Sequence, residues 1–399
     1  MLVGVVGKPN CGKSTFFKAA TLAEIEIGNY PFVTIKPNHG IGHVKVDCAD
    51  KDFGVQCNPR EGYCINHKRF VPIEMMDVAG LVPGAHEGKG MGNQFLDDLR
   101  QADVLIHVID ASGSTNEKGE SVDTGTYDPA DDIRFLEHEL DMWYYGLIQK
   151  VWNKFSRTVK QEHQQVHKAI AKQFSGLRAT EDMVKGIIKE LSLQDKDITA
   201  WSDDDLKGVT RELRRQTKPM IIAANKADVP GAKEKFEKIK KEFDDYTIIP
   251  CSAESELALK EAAKHGLIDY VPGEDDFEIK EPDKLNDKQK KALGFIKDNV
   301  LKTYGSTGVQ DTLNTAVFDI LKYIAIFPGG VNKLEDKDGN VLPDCYLMPP
   351  GSTALDFAFR LHTDFGKNFV KAINVRSKLP ISKDHKLENR DIIEIMASK

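Results

Sequence analysis

The chain has 399 residues, a formal net charge of −7, and the composition of an ordinary globular protein, with 40% hydrophobic and 29% charged residues. This length suggests two or three domains, and the composition argues against large-scale disorder. The negative charge argues against a protein that coats nucleic acid by overall attraction, so any RNA contact would need a local basic patch. No apolar run approaches membrane-spanning length and a motif begins at once, so we expect a cytoplasmic protein.

The first half of the chain predicts a doubly wound, mostly parallel α/β sheet. Leu2–Val6 is a short β-branched run that leads through a glycine-rich turn into a predicted helix over residues 13–23. Runs of similar length and β-branched content, typical of buried parallel strands, recur later in the chain. They cover residues 70–76, 104–109, 220–224 and 247–251.

A helical segment interrupts this pattern. From Ile133, apolar residues recur every three or four positions as far as Phe155, which predicts one long helix. A second helix is predicted over residues 183–191, antiparallel to the first, and a third begins at Ser202, where Asp205 would complete a capping box.

The helical segment is basic within an acidic protein. Residues 149–190 contain nine Lys or Arg against four Asp or Glu. A solvated helix face is the leading interpretation, and contact with RNA or the ribosome is the alternative. From residue 326 the chain becomes rich in predicted strands, with one helix over residues 352–361, which indicates a small α+β domain.

Residues 7–14, GKPNCGKS, fit the phosphate-binding pattern GxxxxGK[ST] and stand between a predicted strand and a predicted helix. Glycines allow backbone amides to turn around phosphate oxygens, and the helix N-terminus favours the same anion. We expect Lys13 to reach the β- and γ-phosphates and the Ser14 hydroxyl to bind Mg2+. The predicted phosphate-binding residues are Asn10, Cys11, Gly12, Lys13, Ser14 and Thr15.

Residues 77–80 read DVAG and follow a predicted strand, which matches the DxxG pattern of GTPases. A carboxylate at Asp77 could hold Mg2+ directly or through water, and the Gly80 amide could contact the γ-phosphate. Thr34 is the expected second hydroxyl ligand, preferred over Thr21 because Thr21 falls within the first helix. The metal set is therefore Ser14, Thr34 and Asp77, and the catalytic set Lys13, Thr34 and Gly80.

The tetrapeptide 225–228, NKAD, follows another predicted strand and matches NKxD. The Asp228 carboxylate can accept hydrogen bonds from N1 and N2 of guanine, which adenine cannot donate, so adenine would leave it unpaired. We expect Asn225 to hold the loop to its neighbours and the Lys226 stem to lie along the base. Ser252 and Ala253 resemble the box whose amide binds guanine O6.

These motifs occur in the order typical of a G domain, and the chain resembles the Obg-related GTPases of the YchF group, in the branch found in archaea and fungi. The resemblance rests on GKPNCGKST, NYPFVTIKPNHG, the segment from DVAGLVPGAHEGKGMGNQFLDD onward, and a TGS-like stretch that begins MPPGSTALDF. It implies a G domain with a helical coiled-coil insert and a C-terminal TGS β-grasp domain, acting in translation.

The domain boundaries expected from this resemblance divide the chain into five segments. They are the G domain in two parts (1–130 and 212–275), the helical insert (131–211), a helical connector (276–325) and the TGS-like domain (326–399).

The resemblance also bears on nucleotide choice and rate. Family members known for ATP use have Glu where this chain has Asp228, so the residue chemistry favours GTP here, with ATP as the alternative. Leu81 stands where many switch GTPases have a water-orienting Gln, so slow hydrolysis is expected. Asn10 is similar to the residue through which related GTPases bind K+, and His86 or Glu87 could position water, although an exposed loop role is the better interpretation. A nucleotide-gated adapter with negligible turnover is the other alternative.

Six cysteines are spread along the chain and do not resemble a disulfide framework. Cys48, Cys57, Cys64 and His67 raise the question of a metal site. The spacing of Cys57 and Cys64 does not match a usual zinc knuckle, so we expect free thiols in a loop.

Overall fold

The computed structural model describes residues 1–22, 38–78 and 98–398. These form two compact units, each built from separate stretches of chain. Unit 1 contains Met1–Phe17 and Met75–Ala253, and unit 2 contains Lys18–Glu74 and the chain from Glu254 onward. None of the helices in the described ranges combines the length and apolar character needed to cross a membrane.

In chain order the first seven strands are β1 (Leu2–Val6), β2 (His39–Asp47), β3 (Tyr63–Ile65), β4 (Lys68–Asp77), β5 (Val104–Asp110), β6 (Met220–Asn225) and β7 (Ile248–Pro250). Five of these strands overlap the predicted runs, whereas β2 and β3 were not predicted.

The sheet of unit 1 places the ends of its parallel strands at one edge. Its order is β4-β1-β5-β6-β7, and the neighbours from β1 to β7 are parallel. Every residue of β5 is buried, as expected for a central strand covered on both faces. The register pairs Asp110 with Asn225, the last residues of β5 and β6. Side chains that follow these strands therefore meet at the same edge, where ligands bind in open parallel sheets.

The helices that begin in or belong to unit 1 are α1 (Lys13–Thr21), α2 (Ala130–Gln149), α3 (Trp152–Gln161), α4 (Val166–Gln173), α5 (Glu181–Glu190), α6 (Asp203–Thr217), α7 (Ala232–Glu242) and α8 (Ala253–Lys264). The insert between β5 and β6 thus contains five α-helices, where the sequence predicted three. The predicted long helix is broken after Gln149, and α3 begins at Trp152. The break was not predicted, because the apolar periodicity continues across it. The capping box of Ser202 and Asp205 at the start of α6 is confirmed.

The helices of the insert share one apolar cluster with strands of the sheet. Trp143, Ile170, Ile187 and Leu213 come from four of the helices and belong to one buried cluster. Short helices are marginal in isolation, so burial of their apolar faces in this cluster is what stabilises them.

Unit 2 contains β2, β3 and the larger part of β4, and β3 and β4 form an antiparallel hairpin. A two-stranded ribbon follows, formed by β8 (Ile268–Tyr270) and β9 (Phe277–Ile279). Two helical segments come next. They are α9 (Asp287–Phe295), which continues as a π-helix and a last turn to Tyr304, and α10 (Val309–Asn314), which continues to Ile320.

A five-stranded sheet with a covering helix ends unit 2. Its strands are β10 (Ile324–Pro328), β11 (Tyr346–Met348), β12 (Phe369–Asn374), β13 (Leu379–Ile381) and β14 (Ile392–Ala397), in the order β11-β10-β14-β12-β13. The helices α11 (Ala354–Leu361) and α12 (Thr363–Lys367) lie between β11 and β12. Phe357 of α11 packs with Ile326 and Ile393 in one buried cluster. The predicted α+β character of this region is confirmed.

Candidate nucleotide site

The phosphate loop leaves β1 and enters α1, and its glycines are required by close packing. A Cβ atom at Gly7 would lie 2.5 Å from the Val108 carbonyl oxygen. At Gly12, φ is +91° and a Cβ atom would lie 2.1 Å from Asn225 Nδ2. The Phe16 N–H donates to the Gly12 carbonyl at 2.8 Å, which begins the helix directly after the loop. The loop and the helix N-terminus therefore have the geometry of an anion cradle.

Lys13, Ser14 and Asp77 come together at the mouth of this loop. The Lys13 ammonium forms an ion pair with Asp77 Oδ1. The Ser14 hydroxyl lies 3.5 Å from Asp77 Oδ2. Hydroxyl and carboxylate oxygens are the ligands that Mg2+ prefers, so Ser14 and Asp77 fit a magnesium site beside Lys13, the lysine expected to bind phosphate. Thr34 and Gly80, together with Leu81, His86 and Glu87, lie outside the described residues.

Asn225 connects the phosphate loop to the two loops predicted to bind the base. Its side chain is 3% exposed. The Nδ2 group donates to the Cys11 carbonyl at 3.0 Å, and the Ala253 N–H donates to Oδ1 at 3.0 Å. The Ala227 N–H also donates to the Cys251 carbonyl at 2.9 Å. These buried hydrogen bonds hold the three loops in fixed positions relative to one another.

Lys226 makes a contact that the sequence did not predict. Its ammonium donates to Asp110 Oδ2 at 2.8 Å, and the Asp110 side chain is fully buried at the end of β5. Burial alone would raise the pKa of Asp110, but the hydrogen bonds from Lys226 and Ser112 outweigh it and lower that pKa. The backbone of the loop holds one end of the Lys226 side chain and Asp110 holds the ammonium at the other end, which fixes the direction of the apolar stem.

Asp228 differs from its neighbours in the same loop. It is half-buried, and its carboxylate makes no hydrogen bond or ion pair with any residue in the described ranges. Ser252 is buried and Ala253 begins α8, so both follow β7 at the same sheet edge. The loop therefore presents one free carboxylate among tightly held groups.

Sequence reasoning missed the residues that hold the phosphate loop from beneath. Lys8 is buried, and its ammonium lies 2.9 Å from Asp132 Oδ2, 2.9 Å from the Thr115 carbonyl oxygen and 3.8 Å from the centre of the Tyr127 ring. Burial raises the pKa of Asp132 to about 6, although Lys8 lowers it in part. Asp132 is far away in sequence, so no local pattern could have paired it with Lys8.

Asn10 and Cys11 occupy different environments within the loop. Asn10 is exposed, has a φ of 59°, and donates from Nδ2 to the Gly119 carbonyl at 2.9 Å. Cys11 is buried, and that burial raises the pKa of its thiol to about 12, so the thiol stays protonated. Thr15 is half-buried at the start of α1. Of these side chains, Asn10 is the one that faces solvent at the loop.

A GTP-binding protein of Methanocaldococcus jannaschii is 49% identical over 398 residues, which cover 100% of this chain and 99% of the relative. A Schizosaccharomyces pombe GTP-binding protein is 38% identical and matches 89% of this chain and 88% of the relative. The chain belongs to the YchF-type, Obg-related GTPases.

Three family models match separate parts of this YchF-type GTPase. The 50S ribosome-binding GTPase model matches residues 2–136, the G4 motif-containing domain of the Obg-like GTPase YGR210-like model matches residues 223–330, and the TGS domain model matches residues 335–397. The fold class is therefore a P-loop G domain with a mostly parallel sheet, a helical region and a C-terminal TGS domain, as predicted.

A solved structure supports this assignment over the whole chain. The crystal structure of a GTP binding protein from Pyrococcus horikoshii OT3 is 40% identical, covers 100% of both chains and has a TM-score of 0.77. In the family, a Bacillus subtilis relative named ribosome-binding ATPase YchF is 39% identical over 41% of this chain and 42% of its own length.

Proposed function

We propose that this protein binds GTP with Mg2+ and hydrolyses it slowly to GDP and phosphate, as a switch that acts on ribosomes. The observation that carries the proposal is the convergence of Lys13, Ser14 and Asp77 beside a glycine-dependent phosphate loop. A ribosomal role would place the protein in the cytoplasm.

The residues of the loop provide charge and orientation for phosphoryl transfer. The Lys13 ammonium offers positive charge to the β- and γ-phosphates, and the loop amides hold their oxygens in place. Ser14 and Asp77 would hold Mg2+, with Thr34 as a further proposed ligand, and the bound ion would neutralise charge on the phosphates. The Gly80 amide is proposed as the group that contacts the γ-phosphate.

Guanine selection is assigned to Asp228. Its carboxylate has no partner among the described residues, while Asn225 and Lys226 on the same loop are fixed by buried hydrogen bonds. A rigid loop with one free acceptor suits a base that donates two hydrogen bonds. The relatives named ribosome-binding ATPase make ATP the alternative substrate.

Slow turnover is expected because Leu81 cannot orient the attacking water through an apolar side chain. We propose K+ as an activating ion near Asn10. The Asn10 side-chain nitrogen donates to the Gly119 carbonyl. The Asn10 side-chain oxygen therefore points away from that hydrogen bond and can coordinate a cation. Equal hydrolysis rates in KCl and NaCl would remove this part of the proposal.

Phosphate release from GTP and from ATP, measured over hours, tests the enzymatic proposal. Lys13→Ala should lower the rate by about 10²- to 10³-fold, because a charged transition-state contact is lost. Lys18→Ala is the matched control, since Lys18 is exposed on the same helix. Release that does not exceed the Lys13→Ala background would indicate a nucleotide-gated adapter, and faster release from ATP would indicate an ATPase.

The ribosomal part of the proposal rests on the basic helical insert. All nine Lys and Arg side chains between residues 149 and 190 are exposed. Six have no acidic partner within 4 Å in the described ranges, and they are Lys150, Lys154, Arg157, Lys172, Lys185 and Lys189. Unpaired exposed cations can neutralise RNA phosphates and release counterions, which supports ribosomal RNA as the contact.

Co-sedimentation with ribosomes under GDP, GTP and a non-hydrolysable analogue tests this contact. We expect retention to depend on the nucleotide and to fall with salt. Double charge reversal at Lys154 and Arg157 should weaken it, whereas the matched reversal of Lys233 and Lys241 on α7, which are also exposed, should not. Identical profiles for all three nucleotides would contradict the switch.

A further inference from the structure

Three cysteines and one aspartate converge in unit 2. One ligand atom from each of Cys48, Asp50, Cys57 and Cys64 can be chosen so that all four atoms lie within 4.8 Å of one another. Cys48 and Cys57 are buried, and the Asp50 side chain is fully buried. Nothing in the proposed nucleotide chemistry uses this cluster.

The local fold brings these residues together from separate elements. Cys48 follows the end of β2, and the short 3-10 helix Ala49–Phe53 turns the chain back at Gly54, where φ is 64°. Cys64 lies in the middle of β3. The hairpin after it turns at Asn66 and His67, both with positive φ, and the His67 carbonyl accepts a hydrogen bond from the Cys48 N–H at 2.8 Å. A backbone hydrogen bond therefore ties the segment after β2 to the β3–β4 hairpin.

The distances suit a shared metal better than a disulfide bond. The sulfur atoms of Cys48 and Cys57 lie 3.5 Å apart, whereas a disulfide bond needs about 2.05 Å. Two thiolates on one tetrahedral zinc ion, with Zn–S bonds of about 2.3 Å, are separated by about 3.8 Å. The Cys64 sulfur lies 3.9 Å from Asp50 Oδ2, which is also compatible with ligands of one ion.

Groups around the cluster orient the carboxylate and offset its charge. His67 Nδ1 lies 2.9 Å from Asp50 Oδ1, and the Cys57 N–H donates to Asp50 Oδ2 at 3.0 Å. Arg69 pairs with Cys64 across the β3–β4 hairpin and is 1% exposed. Three thiolates and a carboxylate around a divalent ion carry net negative charge, which a buried guanidinium in the neighbouring strand would offset.

We propose that Cys48, Cys57, Cys64 and Asp50 bind one structural Zn2+ ion. Thiolates favour zinc over the harder magnesium and calcium ions, and four protein ligands leave no open position for catalysis. The site would crosslink the end of β2 to the β3 hairpin. Its ligand spacing differs from that of common zinc motifs, so free thiols were the expectation from sequence. The signal that could have found it is the presence of Asp50 and His67 within the same short segment.

Metal analysis of the purified full-length protein, followed by Co2+ substitution, tests the site. We expect about one zinc ion per chain by mass spectrometry. After chelation, added Co2+ should give the intense visible bands and near-ultraviolet charge-transfer band of a tetrahedral thiolate site. A metal-free protein that takes up neither Zn2+ nor Co2+ would overturn the proposal. A disulfide between Cys48 and Cys57, found by peptide mapping of unreduced protein, would also overturn it.

Variants test the assignment of ligands. Cys57→Ser and Cys64→Ser should lose the bound zinc, whereas Cys345→Ser, which removes a cysteine outside the cluster, should keep it. His67→Ala should weaken zinc binding by about 10- to 100-fold, because it orients Asp50 without binding the metal. Retention of zinc in both Cys57→Ser and Cys64→Ser would contradict the assignment. The cobalt spectrum of the unmodified protein decides the matter if a variant does not fold.

Discussion

The two ends of the candidate nucleotide site are built differently. Beneath the phosphate loop, Lys8 and Asp132 are almost fully buried and interact with each other, a backbone carbonyl and an aromatic ring. At the proposed base-binding end, Asp228 is half-buried and has no partner among the described residues. The charges at the first end are paired and buried, whereas the Asp228 carboxylate at the second end is proposed to be available to a ligand.

We expect residues at the first end to affect the stability of the fold and Asp228 to affect the choice of nucleotide. Changes beneath the phosphate loop should alter folding and affect all nucleotides alike. A change at Asp228 should alter the choice between nucleotides and leave folding unaffected. Substitutions at Asp132, Asn225 and Asp228 test this separation.

The largest effect is expected for Asp132→Ala. It leaves the Lys8 ammonium buried without its carboxylate, which should lower the free energy of unfolding by about 3–5 kcal/mol. Urea denaturation followed by circular dichroism measures this change. Asp131→Ala is the matched control, because Asp131 is exposed and its pair with Arg134 should contribute less than about 1 kcal/mol. Equal losses in the two variants would contradict the special role of the buried pair.

A smaller effect is expected for Asn225→Ala. It leaves the Cys11 carbonyl and the Ala253 N–H without their side-chain partner, at a cost of about 1–3 kcal/mol for each buried group left unsatisfied. The affinities for GDP and ADP should fall by similar factors, because the variant loses the hydrogen bonds that hold the three loops together and keeps the proposed contact of Asp228 with the base. A changed ratio of the two dissociation constants would show that Asn225 acts in selection.

The smallest effect is a pH dependence carried by Asp132. Burial raises its pKa in the folded protein to about 6, from the ordinary value of 3.8. Between pH 3.8 and about 6, Asp132 is protonated in the folded protein and ionised in the unfolded chain. The contribution of Asp132 to the free energy of unfolding is therefore fully present below pH 3.8 and is lost as the pH rises to about 6. Asp132→Asn removes this titration.

Denaturation of the native protein and of Asp132→Asn across this pH range isolates the contribution. Stability of the native protein should fall relative to the variant as pH rises from 4 to about 6. A difference that stays constant with pH would contradict the raised pKa.

Much of the fold could be predicted because its signals are local. The strands β1 and β5 and the start of α6 depend on short apolar runs and on one capping box, and each lies where the sequence indicated. The break between α2 and α3 could not be predicted, because it depends on packing around a shared core while the apolar spacing continues across it.

The candidate site shows the same division. Motifs that are contiguous in sequence, such as the phosphate loop and residues 225–228, could be found directly. The partners of Lys8 and Lys226 could not, because Asp132 and Asp110 approach only after the sheet has formed. The cysteine cluster also depends on how a short helix and a hairpin fold together.

The most direct test of guanine selection is calorimetric titration of GDP and ADP into the native protein and into Asp228→Asn. The native protein should bind GDP at least about tenfold more tightly than ADP, and the variant should lose GDP affinity by about 1–3 kcal/mol while ADP affinity stays the same. Equal affinities of the native protein for GDP and ADP, or an unchanged GDP affinity in Asp228→Asn, would contradict the account.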